Sequence, residues 1–168
     1  MAYKLFTRSL WVLLVAVSFT SCSGVGDAIV TDVDGQPCFS IEKNWTTRNG
    51  LPMYGLSVIP RGSPNNDGID YHVWRFDMEP PGKSILTLPE KCMRYGHTPK
   101  PAMQRALKPL EPYTVYHVFI DAKSDGPIFG YKAEFCIKPS QPPGKRVFVV
   151  PFDDKTSQWR YDLCERPA

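Results

Sequence analysis

A chain of 168 residues with a formal net charge of +3 has room for one core and excludes a multidomain assembly. That small balance also excludes a nucleic-acid footprint, which needs a clustered excess of Lys and Arg on one face; residues 43–48 and 100–108 are too diluted to form one. Seventeen prolines, each removing a backbone donor and fixing φ, exclude a mainly helical architecture.

The chain opens with Lys4 and Arg8 and then an apolar run over residues 10–19. These are the flanks and length of a secretory leader, and too short for a membrane span, which needs about 20 residues. Thr20 and Ser21 stand directly before Cys22. Together with Phe19 they resemble the bacterial lipobox, with Phe where that motif prefers Leu; its cysteine is lipidated and becomes the mature N-terminus. The competing reading is an ordinary secretory signal cut a few residues later. Ser23, where an Asp would favour inner-membrane retention, points to the inner leaflet of the outer membrane. The expected organisation is a signal peptide over 1–21, a short tether over 22–27 and a single domain over 28–168. Removing the leader leaves 147 residues and a charge of +1.

Four further cysteines, Cys38, Cys92, Cys136 and Cys164, in an exported chain imply two disulfides among three pairings. No two lie at the close spacing of structural zinc ligands. Cys136 falls on the polar side of its strand, where a late segment lying across that side could reach it. Cys136 with Cys164 and Cys38 with Cys92 is therefore the expected pairing.

Taken in order, residues 28–32 begin a strand, Asp34-Gly35 is a turn, and residues 38–42 alternate, with Phe39 and Ile41 on one face. Asp32 to Gly35 has the start of a calcium loop but lacks the later ligands, so a turn is expected. Asn44-Trp45-Thr46 matches a glycosylation acceptor in pattern alone. Residues 53–59 carry Tyr54, Leu56 and Val58 at period two. An exposed loop is expected over 60–68, where polar and turn-forming residues dominate. His72, Trp74, Phe76 and Met78 share a strand face, and residues 84–88 form a short strand. Residues 99–107 are the one segment read as a helical turn or two. Leu107-x-Pro109-x-x-x-Tyr113-x-Val115 resembles the entry to strand F of immunoglobulin-like and fibronectin-type sandwiches, where a tyrosine hydroxyl bonds back to the chain upstream; Tyr113 is the expected corner residue. Beyond it lies a central strand, apolar on both faces. Residues 131–138 place Tyr131, Ala133, Phe135 and Ile137 inward, and 147–150 form a last apolar strand. The fold class is all-β: a disulfide-stapled immunoglobulin/fibronectin-III-like β-sandwich of about eight or nine short strands.

No nucleophile elbow, zinc-binding helix motif or phosphate-cradling loop is present. His72, His97 and His117 have no partner at ligand or catalytic spacing, and Asp153-Asp154 reads as a turn. The reading is of a non-enzyme, without cofactor or metal. Exposed aromatics with Arg nearby suit binding hot spots, and by residue type Arg61, Tyr95 and Trp159 are the candidate partner contacts.

The lipobox at Cys22, the stretches Asp34-Gly-Gln-Pro-Cys38-Phe-Ser-Ile41, Cys92-Met-Arg-Tyr95-Gly96, Tyr113-Thr-Val115 and Tyr131-Lys-Ala-Glu-Phe135 together resemble a family of small bacterial periplasmic lipoproteins described as type VI secretion system immunity proteins. That resemblance covers most of the chain but not the half from Cys136 to Cys164. It implies a membrane-tethered protein that binds and neutralises a toxic effector, a protein partner; the alternative class is a structural or assembly lipoprotein of the envelope.

Overall fold

The computed structural model describes residues 24–63, 71–126 and 128–166. Twelve strands run through them: β1 (Gly24–Val33), β2 (Gln36–Ile41), β3 (Leu51–Pro60), β4 (Trp74–Met78), β5 (Ile85–Thr87), β6 (Met93–Arg94), β7 (Ala102–Leu107), β8 (Val115–Ala122), β9 (Ile128–Ile137), β10 (Val147–Val149), β11 (Phe152–Asp153) and β12 (Gln158–Trp159). The fold is all-β and sandwich-like. One sheet runs β6-β2-β1-β9-β8-β3-β4-β7, with β10 added to β9 and β5 to β3; β11 and β12 form a separate small ribbon.

The sheet curls over at β1. Gly24 to Asp27 pair parallel with Ile128 to Lys132 of β9, whereas Ala28 to Val33 pair antiparallel with β2. A strand that changes partners along its length turns the corner between two layers. Phe39 of β2 can then meet Trp74 of β4 at 5.9 Å and Phe135 of β9 at 5.4 Å between ring centroids. Trp74, Phe76, Tyr116, Val118, Ile120, Tyr131 and Phe135 fill the space between the layers and are almost wholly buried. Truncating a core aromatic such as Trp74 costs about 3–5 kcal/mol by the usual large-to-small figures.

Asp34-Gly35 forms the two-residue turn of the first hairpin, with both φ values positive (57° and 80°), as a turn that matches strand twist requires. Val33 pairs with Gln36 across it. Residues 24–27, expected as tether, belong to β1 instead. Gly26 is what makes this possible: a Cβ there would sit 2.6 Å from the Tyr131 ring. Cys22 and the leader lie outside the described residues, as do residues 64–68 of the loop expected over 60–68.

Two bulges account for the remaining departures from the expected faces. The register between β3 and β8 slips between Met53 and Gly55, so Met53 and Leu56 are both buried while Tyr54 is only half-buried. Tyr54 therefore does not share the face of Leu56 and Val58. Residues 102–107 form β7, not helix. Arg75 faces Ala106 and Phe76 faces Gln104, leaving Arg105 as the extra residue of a bulge. Its guanidinium reaches Glu79 at 2.5 Å and Asp77 at 3.4 Å, and such charges on an edge strand discourage pairing with another chain.

The corner tyrosine is Tyr116, not Tyr113. The Glu111 N–H donates to the Tyr116 hydroxyl at 2.7 Å, and the Tyr116 ring stacks on Phe135 at 5.6 Å. Tyr113 lies on the turn before β8 with φ +61°, its N–H donating to the Ile137 carbonyl.

Candidate interaction surface

Both disulfides join the expected cysteines, Cys38 to Cys92 and Cys136 to Cys164. Cys136 does lie on the side of β9 away from the main core, but that side is not open there. Val150, Cys136 and Cys164 form a second small core, packed by Val115, Phe148, Trp159 and Tyr161. After β12 the chain makes a short 3-10 turn, Tyr161–Cys164, and the disulfide fixes it over the strands.

This C-terminal segment gathers most of the polar chemistry in reach. The Arg61 guanidinium stacks on the Tyr161 ring at 3.7 Å, a cation–π geometry. Burial raises the Tyr161 hydroxyl above its ordinary value, with a hydrogen bond to Arg61 opposing the rise and Glu134 adding to it. His117 Nδ1 stands 3.8 Å from Glu134 Oε1, beyond hydrogen-bond length. Arg61, Ser63, His117 and Glu134 line one cavity of about 260 Å³. A hydroxyl, an imidazole and a carboxylate thus share a cavity. Among the described residues no group of three His, Cys, Asp or Glu side chains is placed to hold a metal ion. His72 is buried and lies just before β4.

Of the three candidate contacts, Arg61 is exposed and Trp159 half-buried, and both belong to this surface. Phe152 joins them: it is 47% exposed and meets Trp159 edge-on at 5.3 Å. Lys155 N–H bonds to the Asp153 carboxylate, so Asp153-Asp154 forms the turn of this ribbon. Tyr95 is different. Its hydroxyl is shared between the carbonyls of Val73 at 3.0 Å and Lys108 at 2.6 Å, its ring meets Trp74 at 5.2 Å, and burial pushes its ionisation well up. It ties β6 to the chain on either side of the β4 and β7 pair. Nothing in the local sequence marks Tyr161 or Phe152; both acquire their setting from the Cys136 bridge.

A second cavity, of about 400 Å³, lies beside the Cys92 bridge and is lined by Met53, Ile85, Leu86, Leu88, Met93 and His97 among others.

No family model matches the chain, and the searches of curated proteins and of solved structures found no match either.

Proposed function

We propose that this chain is a lipoprotein of the bacterial periplasm, held through Cys22 in the inner leaflet of the outer membrane, that binds and neutralises a toxic effector of a type VI secretion system without catalysis. The observation that supports this reading is the position of the Arg61, Phe152 and Trp159 surface on a doubly bridged frame. Gly24 pairs with Ile128 at the start of β9, whereas the C-terminal segment is bridged to Cys136. Eight residues of strand separate the two, about 26 Å. The surface therefore stands toward the end away from the anchor, where a soluble partner has access. Its backbone is fixed by a disulfide, so little loop entropy is lost on docking.

The test is a strain deleted for this gene, grown beside sister cells that carry the secretion system. Immunity requires that the deletion strain be killed, that the anchored protein restore survival, and that a periplasmic effector from the same system form a complex with it. If the deletion strain survives as well as its parent and no effector binds, the reading fails. A surface defect of the deletion strain grown alone would support the envelope-assembly alternative in its place.

A further inference from the structure

The end of the sandwich that carries Gly24 is built unlike the rest of the surface. Trp45 is 77% exposed, yet the loop presenting it is tied down. Asn44 Oδ1 accepts the N–H groups of Thr46 at 2.9 Å and Thr47 at 3.1 Å. Buried Thr47 in turn bonds the Glu42 carbonyl at 2.5 Å and accepts the Asn44 N–H at 2.8 Å. Arg48 lies over the indole at 3.8 Å. An exposed tryptophan on a loop held this firmly is displayed rather than left over.

Its surroundings are placed by the same hydrogen bonds. Glu42 N–H donates to the Asp27 carbonyl, and Ser124 N–H to that of Ile128, the residue paired with Gly24. Trp45 lines a shallow cavity with Lys123 and Asp125. Val25 and Phe129, next to Gly24 and Ile128 on β1 and β9, are 37% and 43% exposed. At this end Lys43 pairs with Glu90 at 2.6 Å, and exposed side chains of both signs surround the tryptophan, Arg48, Lys123 and Lys132 with Asp27, Glu42 and Asp125.

We infer that this end of the sandwich is seated on a phospholipid bilayer, with Trp45 and Phe129 at headgroup level. The inference rests on the Cys22 anchor proposed above. Cys22 and Gly24 are two residues apart, so their Cα atoms are at most about 7 Å from one another, roughly the depth of one headgroup layer. An acylated Cys22 therefore cannot hold β1 clear of the lipid. Tryptophan flanked by Arg and Lys is the side-chain set that settles at a membrane interface. Seating by this end directs the Arg61 surface away from the membrane.

The mature lipoprotein, with its acyl chains, is reconstituted into vesicles of phosphatidylethanolamine and phosphatidylglycerol doped with acyl-brominated lipid, and tryptophan quenching is read for Trp45, Trp74 and Trp159 together. Quenching lost in Trp45→Phe and retained in Trp159→Phe is the expected result. Protein that floats with the vesicles but shows no quenching, or quenching that Trp45→Phe leaves unchanged, overturns the seating while leaving the anchor intact. Protein that does not float overturns both.

Discussion

The backbone N–H of Glu111 donates to the phenol oxygen of Tyr116 at 2.7 Å. This bond fixes the entry to the central strand β8, because it holds the turn before the strand against a ring that is itself buried on Phe135. Tyr116→Phe keeps the ring but leaves the Glu111 N–H without its partner, and should cost about 1–2 kcal/mol. Tyr113→Phe, three residues earlier, should change stability by less than about 0.5 kcal/mol. Urea unfolding of the two variants separates them; equal losses would mean that Tyr113 shares the corner role.

The position of that corner was within reach of the sequence. Leu-x-Pro-x-x-x-Tyr-x-Val occurs twice in overlap, as Leu107 to Val115 and again as Leu110 to Val118. The two copies differ in their leucine. Leu107 is 49% exposed, whereas Leu110 packs against the core, and only the second tyrosine falls inside β8. Strand faces were legible wherever alternation was unbroken, as in β2, β4, β8 and β9. They were lost at the bulges. In β7 the two half-buried residues are Ala102 and Ala106, and a spacing of four is what an amphipathic helix would show. In β3 the slip at Tyr54 puts Leu51 and Met53 on one parity and Leu56 and Val58 on the other. Gly55, just after the slip, would bring a Cβ to 2.8 Å from the Phe76 carbonyl, so the bulge and the glycine belong together. Residue type alone picked out Arg61 and Trp159 but could not show that Tyr95 is engaged by the backbone, since that depends on carbonyls 22 and 13 residues away.

Asp32 joins the first hairpin to β10. Its carboxylate accepts N–H groups from Gly35 at 2.6 Å, Arg146 at 2.5 Å and Val147 at 3.0 Å. Burial by itself would raise its pKa, but these backbone donors outweigh it and hold the carboxyl below its ordinary 3.8. A carboxyl depressed in the folded state adds stability above its unfolded pKa, and that share is lost as pH falls through the folded value. The wild type should therefore lose stability below about pH 4 more steeply than Asp32→Asn. Asp32→Ala, which leaves three N–H groups without an acceptor, should cost about 2 kcal/mol at neutral pH. Parallel pH profiles for wild type and Asp32→Asn would remove Asp32 from the account.

The two bridges should fail differently. Cys136 and Cys164 are 28 residues apart, Cys38 and Cys92 are 54, and the chain-entropy model gives each about 4 kcal/mol. The shorter bridge, however, holds a segment whose own core is only Val150 and the two cysteines, with four half-buried neighbours. In the Cys136→Ala/Cys164→Ala variant, limited proteolysis should cut after Val150 while the main sandwich stays protected. Cys38→Ala/Cys92→Ala should instead lower the midpoint of global unfolding. Simultaneous loss of both regions in the first variant would mean that the C-terminal segment is integral to the main core.

Arg61 and Tyr95 give opposite expectations, and the pair tests where the proposed effector would dock. Arg61 is exposed, and its stacking on Tyr161 at 3.7 Å is worth about 0.5–1 kcal/mol at such a site, so Arg61→Glu should be tolerated by the fold. If Arg61 is a central contact, the same change should weaken effector binding by 2 kcal/mol or more, about thirtyfold. Tyr95→Phe removes a hydroxyl shared by two backbone carbonyls; it should cost about 1–2 kcal/mol of stability and leave affinity unchanged. Titration calorimetry with the effector and thermal melts of the free variants measure the two quantities separately. Wild-type affinity in Arg61→Glu, or lost affinity in a Tyr95→Phe protein that melts normally, would move the docking surface from the C-terminal segment to the neighbourhood of β6.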